Sequence, residues 1–147
     1  MYKKPKYIIK HESVFPISFH DTDAMGVVWH GNYIKFFELA REAMFIELGY
    51  DYNAMEKDAL IYPVTECKCI YRHVLKVTDK ALKVVCMLEN YDAKVTVHYE
   101  VYAKDNDKTL CAYGYTEQVA MNVNTQELQF QSSDNLVNAI ENYAKNH

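Results

Sequence analysis

Residues 33–48, YIKFFELAREAMFIEL, have helical spacing with apolar side chains around most of the circumference. On a wheel of 3.6 residues per turn, Tyr33, Phe36, Phe37, Ala40, Ala43 and Met44 share one wide face. Ile34, Leu39, Phe45 and Ile46 fall outside it and are apolar too. Lys35, Glu38 and Glu42 form the only compact polar stripe, with Arg41 and Glu47 apart from it. A helix apolar most of the way round is mostly buried. The chain must therefore wrap it with a sheet or share it with a second subunit, and an ordinary core helix is the plain alternative. Gly49 stands where a C′ residue is expected. Asn32 is the candidate N-cap, because its side-chain oxygen can accept from first-turn amides.

The twelve residues upstream, HDTDAMGVVWHG (20–31), are of a different kind. Asp21 and Asp23 sit in a tight polar turn closed by Gly26, and a short apolar stretch leads to His30 and Gly31. A helix N-terminus carries partial positive charge and free N–H donors, so it can stabilise a developing oxyanion. Here those donors are expected among the amides of Val28, Trp29, His30 and Gly31. Acids and a histidine gathered ahead of such a tip mark the one stretch that suggests chemistry.

The rest of the chain turns to strands. Residues 7–19 read as a first strand, placed at an edge by Pro16, which lacks a backbone donor. Residues 50–61 are a mixed connection with one helical turn. From Tyr62 the period changes to two: 62–74, 80–91, 93–104 and 108–121 read as strands. Leu82, Val84, Cys86 and Leu88 share one face, and Val95, Val97, Tyr99 and Val101 another. Gly114 marks a bulge or a close approach. Residues 90–92 and 105–107 are hairpin turns, and 133–145 form a closing helix capped by Ser133 or Asp134. Strand, long helix, four antiparallel strands and short helix make an α+β chain. The expected architecture is one domain over residues 1–147, with a curled antiparallel sheet of about five strands wrapped around one long central helix. The open sheet edges call for a homodimer or homotetramer.

Charge and composition exclude some functions. The net charge is −4, and no basic patch suited to a nucleic-acid backbone is visible. The basic N-terminus lacks a signal peptide's apolar run, and no stretch is long enough for a membrane span. Cys67, Cys69, Cys86 and Cys111 form no CxxC pair, so reduced thiols in a cytoplasmic protein are expected. His20, Asp21, Asp23 and His30 match no metal-ligand spacing, so no metal and no cofactor is expected.

The motif D-T-D-A-x-G-V-V-W-H-x-N-Y-x-K-F-F-E-x-A-R over residues 21–41 resembles the acyl-CoA thioesterases of the 4-hydroxybenzoyl-CoA thioesterase class, in their YbgC-like branch. The resemblance implies a hotdog fold and hydrolysis of an acyl-CoA, or an acyl carrier protein thioester, to the free acid. It places the catalytic carboxylate on Asp23 and the pre-helix histidine on His30. It implies that Gly26 shapes the turn that brings Asp23 toward the helix amides, and that a second subunit completes the site. Relatives commonly carry a proline a few residues after a tyrosine in the strand near 71–74; this chain has Tyr71-Arg72-His73-Val74. Met25 occupies a variable position where its bulk could narrow an acyl pocket.

Thioester hydrolysis needs a nucleophile and a polarised carbonyl. Asp23 can attack directly or deprotonate water. His30 can orient water or substrate, or hydrogen-bond Asp23. Asp21 is assigned to the turn. Arg72, Lys94 and Lys68 could meet CoA phosphates, although a solvated strand face accounts for them equally. His98 reads as an ordinary surface or packed histidine. Two other functions fit the same fold: an acyl-thioester hydratase or dehydratase, whose HFPG-type motif is absent here, and a non-catalytic acyl-CoA-binding module.

Overall fold

The computed structural model describes residues 1–147. Strand β1 (Ile9–Pro16) leads to the long helix α1 (Asn32–Leu48), a short helix α2 (Tyr52–Asp58) and strands β2 (Leu60–Ile61) and β3 (Val64–Tyr71). Strands β4 (Ala81–Asn90), β5 (Val95–Ala103), β6 (Ala112–Gln118) and β7 (Met121–Asn122) follow, then helix α3 (Asp134–Asn146). Five strands form one antiparallel sheet in the order β1-β4-β5-β6-β3. The two-residue strands β2 and β7 pair separately.

The period-two pattern of β4 and β5 builds the concave face. Leu82, Val84, Cys86, Leu88, Val97, Tyr99 and Val101 are all fully buried in the same core as Phe36, Phe37, Ala40 and Met44 of α1. Burying one such aliphatic or aromatic side chain contributes roughly 2 kcal/mol. Phe37 stacks flat on Tyr99, with ring centres 4.2 Å apart. α3 closes the end, with Leu136 and Ile140 buried and Ser133 capping through its hydroxyl, which accepts from Leu136 N–H at 3.0 Å.

Three features differ from the sequence reading. Residues 52–58 form a seven-residue helix, longer than one turn, because the Asp51 side chain caps it by accepting from Ala54 N–H at 3.0 Å. Arg41 is buried although charged: its guanidinium donates to Tyr99 Oη and Thr116 Oγ1, both at 3.3 Å, and meets exposed Glu38 at 3.6 Å. The sheet does not cover the whole helix, as wrapping alone would require: Ile34, Leu39 and Ile46 remain exposed.

β1 and β3 are the sheet edges, which places Pro16 on an edge as expected. Gly114 is a close-approach point, with the bulge located in β3 between Val64 and Glu66. A methyl group on Gly114 would lie 1.9 Å from the Lys68 carbonyl oxygen of the neighbouring strand. Since backbone cannot swing aside as a side chain can, Gly114→Ala is expected to destabilise the fold by about 2 to 3 kcal/mol, read as a lower urea midpoint. An unchanged midpoint would mean that the β3–β6 spacing is not fixed there.

Candidate active site

The acidic turn is a small hairpin. Thr22 bridges to Val28, Asp23 N–H donates to the Val27 carbonyl at 2.9 Å, and Gly26 N–H donates back to the Asp23 carbonyl at 3.0 Å. This is a tight turn ending in a left-handed residue, and Gly26 occupies that position at φ 77°. Asp23 stands first in the turn. Its Oδ1 accepts from Met25 N–H at 2.8 Å and more weakly from Val27 N–H at 3.4 Å. Its Oδ2 has no partner in the chain, and the residue is exposed.

The buried residue of the pair is Asp21, 5% exposed. Its carboxylate accepts from Ser18 N–H at 2.9 Å and Ser18 Oγ at 3.1 Å, and forms an ion pair with Lys35 on the first turn of α1. Its carbonyl accepts from Trp29 N–H at 2.9 Å and from the Asn32 side-chain amide at 2.8 Å. Asp21 thus has the structural role assigned to it, and ties the hairpin to the helix start through both main chain and side chain. Burial acts to raise its carboxyl pKa. The Lys35 ammonium and the Ser18 donors outweigh burial and hold it below the ordinary aspartate value.

Asn32 does not cap the helix. It is the first helical residue, its side chain is committed to the Asp21 carbonyl, and Gly31 takes the cap position with no side-chain bond. The tip is left uncapped, and this settles which amides are available. Val28 N–H donates to the Leu75 carbonyl at 2.7 Å and Trp29 N–H to Asp21, so neither is free. The N–H groups of His30 and Gly31 donate to nothing in the chain. The Trp29 ring lies over Gly31, where a methyl group would fall 2.3 Å from the indole.

His30 is exposed, and its imidazole makes no hydrogen bond; in particular none joins it to Asp23. Its carbonyl accepts from Tyr71 Oη at 2.8 Å. Sequence reading missed this contact, because the sheet order, and no local spacing, brings residue 71 to residue 30. Arg72 follows Tyr71 and lies over the Tyr113 ring at 6.0 Å. Within residues 71–74, the N–H groups of Arg72 and His73 donate to the Cys111 carbonyl, whereas Val74 N–H donates to nothing in the chain. Lys94 is not brought to the hairpin. It forms an ion pair with Glu117 on the outer sheet face, beside Glu89 and His98, which are joined at 2.7 Å.

Apolar groups surround the hairpin: Phe19, Met25, Trp29 and Val74 are half or more exposed. A cavity of roughly 530 Å³ lies elsewhere. It runs along the C-terminal half of α1 and is walled by Phe45, Ile46, Tyr52, Met55 and Val64, with Arg41 beside it. No helix is long and apolar enough to cross a membrane.

Asp21→Asn should lower the melting temperature at neutral pH through loss of a buried, charge-assisted contact worth about 2 kcal/mol. The native pKa is depressed, so this stabilisation is present above the unfolded value of 3.8 and disappears as pH falls through the native value. Melting curves of the two proteins should converge below pH 3.8. A gap that persists undiminished in acid would contradict the ion pair.

Comparison with known proteins matches this architecture. A family model described as the thioesterase-like superfamily covers residues 17–139. A Bacillus subtilis protein named putative acyl-CoA thioesterase YneP is 33% identical over 87 residues, which is 58% of this chain and 62% of that one. The chain thus matches less than two thirds of the length of that curated relative. The structure of DHNA-CoA thioesterase from Staphylococcus aureus superposes with a TM-score of 0.73 at 30% identity, covering 82% of this chain and 80% of the other. A hypothetical protein, TT1821, from Thermus thermophilus gives 0.78 at 22% identity over 90% and 96%. These neighbours bear out the expected hotdog fold. The family match runs from the end of the first strand into the last helix, and the chain belongs to the thioesterase-like superfamily.

Proposed function

We propose that this protein hydrolyses acyl-CoA thioesters to a carboxylic acid and free CoA. The observation that carries the reading is the unoccupied pair of donors, His30 and Gly31 N–H, at the positive end of a seventeen-residue helix. The hairpin locked to that end presents a carboxylate with one free oxygen. Donors held in place where negative charge develops on a carbonyl oxygen contribute about 3 kcal/mol each to acyl transfer. The Asx turn fixes the Asp23 carboxylate by its Oδ1, so Oδ2 can attack the carbonyl or take a proton from water without first being ordered. His30, with its imidazole unbonded, serves to orient water or the acyl group.

A second copy of the chain completes the site. In the single chain Asp23 is exposed and lies outside the large cavity, so one chain does not enclose a substrate. The β3 edge, the uncovered residues Ile34 and Ile46, and the apolar rim of Phe19, Met25 and Trp29 supply the surface that a copy would cover. A two-fold pair is the commonest assembly of identical chains, and the groove along α1 is then a candidate to take the acyl group. Arg72 meets a CoA phosphate at the rim. Lys94 would reach one only by exchanging its Glu117 partner, and acyl carrier protein remains the alternative donor.

Asp23→Asn is expected to lower turnover of a panel of short, long and aromatic acyl-CoAs by about 100- to 10,000-fold, while calorimetry shows CoA binding retained. Undiminished turnover would remove Asp23 from the mechanism. If the wild type hydrolysed no thioester, the binding-module reading would replace this one, and a monomer in sedimentation would remove the two-copy site.

A further inference from the structure

We infer that Tyr71 is a positioning residue for the oxyanion donor: its hydroxyl holds the His30 carbonyl and so aims the Gly31 N–H. This deepens the hydrolase reading above and rests on it.

The carbonyl of His30 and the N–H of Gly31 belong to one planar, trans peptide group, so they point in opposite directions. Whatever grips the oxygen sets the direction of the hydrogen. At the start of a helix that oxygen would ordinarily be held by the backbone of the first turn. Here the only backbone donor to it is Tyr33 N–H at 3.4 Å, a long and weak contact. Tyr71 Oη donates to it at 2.8 Å. No side chain caps the tip, and Gly31 N–H has no acceptor, so the Tyr71 bond is the strong restraint on this peptide.

The tyrosine is itself well held. Its ring meets Tyr33 edge-on at 5.2 Å and His30 edge-on at 6.2 Å, and it stands at the end of β3, hydrogen-bonded to β6. Burial first, and then the nearby Cys69 thiol, push its hydroxyl pKa up to about 12, so it stays protonated and keeps donating through the neutral and mildly alkaline range. Without the hydroxyl the peptide is free to turn over. A turned peptide would present the His30 oxygen where the Gly31 hydrogen had been, replacing attraction for a developing negative charge with repulsion.

The test is Tyr71→Phe, which removes one oxygen and keeps the ring. The chain has only four glycines, Gly26, Gly31, Gly49 and Gly114, so protein labelled with ¹⁵N-glycine gives four amide signals. The Gly31 signal should show the largest shift or broadening of the four, while Gly49 and Gly114 stay in place. With the acyl-CoA that the wild type turns over fastest, kcat should fall about 10- to 100-fold, part of the cost of losing such a donor outright. KM should stay within about twofold and the pH profile should keep its shape. An unmoved Gly31 signal overturns the inference, whether or not the protein hydrolyses any thioester. So does unchanged kcat, or a loss carried by KM or by a displaced pH profile. Failure of the hydrolase reading is separate: it is read from the wild type and from Asp23→Asn, whereas the glycine spectrum needs no substrate.

Discussion

A buried carboxylate at residue 21 governs the geometry of the site. The Asp23 hairpin is short and exposed, and its own bonds fix its internal shape without fixing its position on the molecule. That position comes from Asp21, whose carboxylate faces Lys35 on the helix and whose carbonyl takes the Trp29 main-chain N–H and the Asn32 side-chain amide at the helix entry. Low exposure strengthens these contacts by keeping competing water away. The same contacts would be weak if exposed, since surface ion pairs contribute little. The more buried of two acids two residues apart therefore sets the frame, and the exposed one keeps an oxygen without a partner.

The wrapped helix serves this arrangement. Phe36, Phe37, Ala40 and Met44 anchor α1 in the concave sheet, which fixes where its tip lies. The turn around Val28 is then held from a third direction, by the Leu75 carbonyl beyond β3. Segments distant in the chain, residues 18–23, 28–35 and 71–75, thus converge on one helix end. Of these, only residues 32–35 belong to the helix.

Much of the fold was legible in the sequence, because period and burial coincide. β4 and β5 each carry an apolar residue at every second position and bury that face, and α1 ends where Gly49 says it should. The two-residue strands β2 and β7 were not legible, since two residues carry no period. α2 was underestimated because YNAMEKD lacks an apolar stripe, although Asp51 offered a cap. At the site, the polar turn and the structural part played by Asp21 could be read locally, whereas the reactive part given to Asp23 rests on the motif over residues 21–41 and belongs to the proposal. Assigning the cap to Asn32 failed because cap preference describes a local competition. Here a carbonyl eleven residues upstream in sequence, but adjacent in space, took the side chain. Tyr71 and Arg41 were opaque for the same reason: their partners are set by strand order and fold topology, which no spacing encodes.

The bare tip of α1 has a cost in robustness. A serine or aspartate in place of a cap glycine typically makes a protein firmer by roughly a few tenths of a kcal/mol, so an engineer seeking heat tolerance could turn to residue 31. That substitution would push the indole of Trp29 aside and place an acceptor among the idle donors at this end of the rod. The hardened protein would have used on itself the dipole it holds open for a guest.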